Sequence, residues 1–128
     1  MTSIGTKAFY YCRSLTSVVI SDGVESIGED AFYYCSALTS VTIDSGVKSI
    51  GDSAFLNCRA LTTVFYKGAA AEWDEISIES YNNSLTNATI YYYSETEPEL
   101  SEDGSAYDGN YWHYDTDGET PIIWTKQD

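Results

Sequence analysis

"AFYYCRSLTSV" (residues 8–18) returns as "AFYYCSALTSV" at residues 31–41 and, more loosely, as "AFLNCRALTTV" at residues 54–64. Each copy begins 23 residues after the last, and the phase extends beyond the quoted words. Ile4, Ile27 and Ile50 share it, as do Gly5, Gly28 and Gly51, and Cys12, Cys35 and Cys58. A unit this short cannot bury its own apolar face, so successive copies must stack and share one continuous core.

Within each unit, Leu15, Val18 and Ile20 recur as Leu38, Val41 and Ile43, then as Leu61, Val64 and Tyr66. The pattern Leu-x-x-Val-x-Ile predicts a short strand with Val18 and Ile20 inward and Ser17, Val19 and Ser21 outward. The return path is anchored by Val24, Ile27, Ala31 and Phe32, with Gly28 and Gly51 expected at tight turns. The whole string, "IGxxAFxxCxxLxxVxI", resembles the BspA-like leucine-rich repeats of bacterial surface proteins, strongly over residues 3–66. Downstream, "VFYKGAAAEWDEI", "LTNATIYYYSE" and "NYWHYDTDGETPIIW" look like the ending of such arrays. The resemblance implies a leucine-rich-repeat solenoid of about four parallel rungs, used for protein binding or adhesion and not catalysis.

The expected organisation is a solenoid over residues 1–93, with repeats near 4–26, 27–49 and 50–93 and an inserted helix at 69–76. Ala69, Ala70, Trp73 and Ile76 have helical spacing, which turns Trp73 and Ile76 to the core. Leu85, Ala88 and Ile90 restate the strand motif and make residues 87–92 a fourth rung. Residues 94–110 are acidic, carry Pro98 and lack apolar periodicity, so they read as an acidic loop or linker. Residues 111–128 read as a hairpin cap turning at Asp117-Gly118, its tryptophans covering the last rung. No cap precedes the first repeat, so its strand is expected as an open edge: either the chain begins mid-array, or copies self-associate through that edge.

Charge divides the chain. Residues 1–68 hold six acids and five bases, and residues 69–128 hold fourteen acids and one base. A surface of that sign repels nucleic acid and anionic membrane and suits a protein partner with a basic patch. No stretch has the apolar length of a membrane span. The start, "MTSIGTKAF", lacks the basic and apolar regions of a secretory signal. The family resemblance implies a secreted or surface protein, so the chain is either intracellular or a piece of a longer exported one.

Neither a catalytic nor a metal centre is legible, and no cofactor is expected. Three cysteines cannot close a disulfide framework. Their recurrence in phase with phenylalanine and leucine marks them as small core residues. His113 has no serine, cysteine or carboxylate arranged beside it for a triad. "DTDGE" (residues 115–119) echoes a calcium loop but lacks the distant bidentate glutamate, and an Asp-Gly hairpin turn accounts for it.

A solenoid's default binding surface is its concave strand ladder. Its outward columns are Ser17, Ser40, Thr63 and Asn87; Val19, Thr42, Phe65 and Thr89; and Ser21, Asp44, Lys67 and Tyr91. From these, Val19, Thr42, Asp44, Phe65, Lys67, Thr89 and Tyr91, with Glu95 and Glu97 of the acidic end, are the candidate partner-binding residues. A second reading makes the acidic half an inhibitor of the anti-CRISPR or DNA-mimic type, occupying the basic channel of a nucleic-acid enzyme.

Overall fold

The computed structural model describes residues 3–100, 102–104, 107 and 109–124. Residues 1–2 and 125–128, and residues 101, 105–106 and 108 of the acidic segment, lie outside the described residues.

Each 23-residue unit makes one full turn of a solenoid. Its first sheet is built from β2 (Ser17–Ile20), β4 (Ser40–Ile43), β6 (Thr63–Tyr66) and β8 (Thr89–Tyr93), all parallel. The repeated Leu-x-x-Val-x-Ile motif forms the first three rungs in strict register, with Val18 opposite Val41 and Val41 opposite Val64. Alternation buries Val41, Ile43, Val64 and Tyr66 between the layers. A second sheet forms where the chain turns back: β1 (Ser3–Ile4), β3 (Ser26–Ile27), β5 (Ser49–Ile50) and β7 (Ser77–Ile78), again parallel. These two-residue strands are too short for alternation to show, and only the recurring Ser-Ile marks them. Val24, Ile27, Ala31 and Phe32 are buried between the sheets. Phe9, Phe32 and Phe55 stack ring on ring at 5.1 Å, a column running along the solenoid axis.

Gly28 and Gly51 have a different reason from the expected tight turn. Neither has positive φ. A Cβ on Gly28 would stand 2.7 Å from the Thr6 amide nitrogen, and one on Gly51 2.7 Å from that of Glu29. Glycine is needed because adjacent turns bring their backbones together there.

The third turn is where periodicity ends. Helix α1 (Ala70–Asp74) is shorter than the expected 69–76, although Trp73 and Ile76 are both buried. The Glu72 carboxylate accepts the Ala69 amide at 3.0 Å, half of a capping box that starts the helix. A second helix, α2 (Asn83–Thr86), contains Leu85. The segment holding α1 and α2 lengthens this turn from 23 to 26 residues, so Ile90, not Ala88, stands opposite Val64. The fourth rung therefore runs 89–93 instead of 87–92, and the last position of every outward column moves by two.

Beyond β8 the sheet continues through β9 (Tyr111–Tyr114), parallel to β8, and β10 (Pro121–Ile123), antiparallel to β9. The intervening acidic segment meets the end of this hairpin through Tyr107, whose ring lies 6.4 Å from Trp124. Pro98 is buried, Leu100 bridges Tyr107, and the Tyr107 hydroxyl donates to Glu97 Oε2 at 3.1 Å.

Candidate functional site

The outer face of the long-strand sheet carries the central column Val19, Thr42, Phe65 and Tyr91, directly paired across four rungs. Thr89, expected beside Phe65, instead pairs with Thr63 and is exposed. Phe65 and Tyr91 are in ring contact at 5.9 Å. Asp44 and Lys67 lie just past the ends of β4 and β6, their charged groups 3.9 Å apart.

The face is open at one end and covered at the other. β9 pairs with β8 through Tyr92 and Tyr93 only, and the rest of the hairpin turns over the sheet. Trp112 is fully buried against Phe65 at 5.4 Å, Tyr93 at 5.2 Å and Tyr114 at 4.9 Å. Its indole N–H donates to the Tyr66 carbonyl at 2.8 Å, pinning the hairpin to the third rung. Lys67 Nζ sits 5.5 Å above the Tyr114 ring, a cation–π contact that draws the lysine toward the hairpin. Pro121 joins Val19, Thr42 and Phe65 in lining a small cleft of about 150 Å³.

Thr42 is the position where expectation fails most clearly. Alternation turns it outward, yet it is only 5% exposed. It shares the cleft lining with Phe65 and the hairpin's Pro121, so it offers little surface of its own. Val19, one rung nearer the open end, remains 65% exposed. Phe65, Lys67 and Tyr91 are half-buried at the hairpin's margin, while Glu95 and Glu97 are exposed beyond β8. Trp112 itself was legible only as a cap over the last rung. Its reach back to Tyr66 has no local signature, because 46 residues separate the two.

The reactive residue types are occupied structurally. Cys35 Sγ donates to the Phe9 carbonyl at 3.2 Å and Cys58 Sγ to the Phe32 carbonyl at 3.1 Å, each thiol tying its turn to the one before. Burial, with Cys35 nearby, pushes the Cys58 thiol up to about 12. It stays protonated at neutral pH, the opposite of an activated nucleophile. His113 packs on Trp124 at 4.3 Å and its Nδ1 lies 2.8 Å from the Tyr114 carbonyl. Asp117 accepts the Thr120 hydroxyl at 2.6 Å and the amides of Glu119 and Thr120, which hold its carboxyl below the usual range. That carboxylate closes the hairpin turn, where Gly118 adopts φ +71°. Among the described residues no group of three His, Cys, Asp or Glu side chains is placed to hold a metal ion, and no helix is long and apolar enough to cross a membrane.

A family model described as "BspA type Leucine rich repeat region (6 copies)" matches residues 2–97. No curated protein and no solved structure gives a significant match.

Proposed function

The chain belongs to the BspA-type leucine-rich repeat family, and on that premise we propose that it is a non-enzymatic protein-interaction or adhesion module. The partner docks on the open part of the strand face and on the acidic C-terminal end. The observation that carries this reading is the uneven cover of the face. The hairpin closes the β6–β8 side, whereas Val19 keeps 65% of its surface in solvent beside the cleft under Pro121. Exposed apolar surface beside half-buried aromatics suits an interface centre, where aromatics are the enriched residue type, and charged residues belong at the rim. Phe65 and Tyr91 form the aromatic margin. Asp44, Lys67, Thr89, Glu95 and Glu97 supply the polar one, complementary to a basic patch.

A photoreactive residue placed at Val19, at Glu97 or, as a control, at the exposed Glu25 tests this. Cross-linking to one partner from the first two positions and not from the third is expected. Equal capture from all three, or capture from Glu25 alone, rules the face out.

The second reading, an acidic inhibitor of a nucleic-acid enzyme, draws support from one feature. Glu95, Glu97, Glu99, Asp115, Asp117 and Glu119 are all exposed in the half of the chain that carries a single base. It requires that the captured partner bind DNA or RNA and release this chain steeply with salt. Self-association is a third use of the surface. β2 pairs on one side only among the described residues. Ile4, Phe9, Val18, Ile20 and Val24 line an apolar groove of about 480 Å³ beside it. A concentration-independent monomer by analytical ultracentrifugation excludes that use.

A further inference from the structure

On the return loops between the two sheets, four tyrosines form two stacked columns. Tyr10 lies on Tyr33 at 4.9 Å with ring planes 10° apart, and Tyr11 lies on Tyr34 at 4.9 Å and 6°. Tyr10 and Tyr11 are 41% and 43% exposed, close to Phe9 in the same turn at 38%, and Tyr33 and Tyr34 are half-buried. In the third turn the same positions are Leu56 and Asn57, so the strip is not a requirement of the repeat.

The backbone makes the choice of tyrosine costly. Tyr11, Tyr34 and Asn57 all adopt the left-handed conformation, with φ of 59°, 61° and 60°. Asparagine tolerates that region, whereas a tyrosine there carries steric strain. A strained residue kept at an exposed position signals a use for its side chain.

Charge shows what that use is. The flank next to the Tyr11–Tyr34 column carries Arg13 and Arg59, with Ser36 between them. Both arginines are exposed, and neither forms an ion pair among the described residues. Arg59 lies over the Tyr34 ring at 5.6 Å, with Nη2 3.4 Å from the hydroxyl. The opposite flank carries Lys7, over the Tyr10 ring at 5.2 Å, and the half-buried Asp30. In a chain with 20 acids and 6 basic side chains, two exposed guanidinium groups without a carboxylate partner among the described residues make this flank of the tyrosine strip cationic. Because this half of the chain is close to neutral, the acid-rich end does not cancel it locally.

We infer that the strip is a docking surface for an acidic, proline-rich peptide in the polyproline II conformation, independent of the strand-face reading above. Arg13 and Arg59 lie two turns apart, about 10 Å at the usual strand spacing. A polyproline II helix has three residues per turn and rises about 3.1 Å per residue, so carboxylates at i and i+3 face one side about 9 Å apart. Its backbone carbonyls are unbonded and accept from the tyrosine hydroxyls, as in other aromatic-lined sites for such peptides. Stacking closes one face of each ring, and Lys7 and Arg59 lie over the rings of Tyr10 and Tyr34.

The test uses the full chain and labelled synthetic peptides of Glu-Pro-Pro and Lys-Pro-Pro repeats, followed by fluorescence anisotropy. The Glu peptide is expected to bind and the Lys peptide not. Arg13→Ala with Arg59→Ala is expected to weaken binding at least tenfold and flatten its salt dependence. Tyr11→Asn with Tyr34→Asn is expected to weaken binding similarly while leaving the thermal midpoint unchanged or higher, because the left-handed strain is relieved. The inference is overturned by equal binding of both peptides, by Glu-peptide binding indifferent to these variants, or by a lower midpoint in the double asparagine variant, which would make the tyrosines packing residues. Binding of polygalacturonate through Arg13 and Arg59 without binding of the Glu peptide also overturns it.

Discussion

The side-chain carbonyl of Asn82 accepts the backbone amide of Phe55 at 2.9 Å. In the two preceding turns the same amide, at Phe9 and Phe32, donates at 2.7 Å to the backbone carbonyl of the next turn, Ala31 and Ala54. Asn82 thus stands in for a missing rung. Its amide group also donates to the Gly51 and Glu79 carbonyls at 3.0 Å, and the residue is buried. The irregular insertion is locked to the regular ladder through one side chain.

Replacing Asn82 by Ala strands the buried Phe55 amide and removes the donors to the Gly51 and Glu79 carbonyls, of which Gly51 still accepts the Ala54 amide. At about 1–3 kcal/mol for each group so stranded, a loss of about 3 kcal/mol is expected in urea unfolding. Asn82→Asp keeps the acceptor for Phe55 and removes the donors, so it should also destabilise. A change below about 0.5 kcal/mol in both would remove the stand-in role.

How much of this was readable in advance depends on whether the cause was periodic. Ile20, Val41 and Phe32 announce their burial because identical units must present identical faces. Asn82, Trp112 and the two-residue shift at Ile90 arise where the repeat breaks, and each depends on a partner distant in the chain. The site suffered for the same reason. Val19 and Phe65 followed from alternation, but Thr42 is covered by a hairpin whose path over the sheet no local pattern encodes. Similarly, the tyrosine strip was visible as a repeated "YY", whereas its left-handed backbone was not.

Gly28→Ala and Gly51→Ala should each cost about 1–3 kcal/mol, the usual range for overpacking, since the added carbon meets backbone at 2.7 Å. Gly5→Ala is the control, because nothing lies within 4 Å of its added carbon, and it should change stability by less than about 0.5 kcal/mol. Equal effects at all three positions would contradict the close-approach explanation.

Alkaline pH should unfold the protein through its buried acids. Burial lifts the Cys58 thiol from 9.0 to about 12 in the folded state, and the Tyr66 phenol from 10.0 to about 12, the latter helped by Glu72 and Asp44. A raised folded pKa means that the unfolded chain releases its proton first. The stabilisation is therefore complete below pH 9 and is lost as pH rises from there toward 12. Thermal midpoints measured between pH 7 and pH 11 should stay level to about pH 9 and then fall. A Cys58→Ala variant should show a shallower fall, and a midpoint that rises with pH would reverse the sign of the claim.

Trp112→Phe keeps most of the ring contact with Phe65 and removes the indole donor to Tyr66. A loss of about 1–2 kcal/mol is expected, typical of a buried hydrogen bond whose acceptor is stranded. Trp112→Ala should cost about 3–5 kcal/mol and release the hairpin, raising the solvent exposure of Thr42. Hydroxyl-radical footprinting of Phe65 in that variant should show it newly reactive.

Which part of the strand face is open depends on the hairpin lying across it. Hydrogen exchange of the Trp112 indole N–H, read by NMR together with its through-space contacts, tests that directly. The indole proton should exchange more slowly than those of Trp73 and Trp124 and show cross-peaks to the Phe65 ring. Exchange at the rate of an unfolded chain, with no contact to Phe65, would contradict it and reopen the whole face from Val19 to Tyr91.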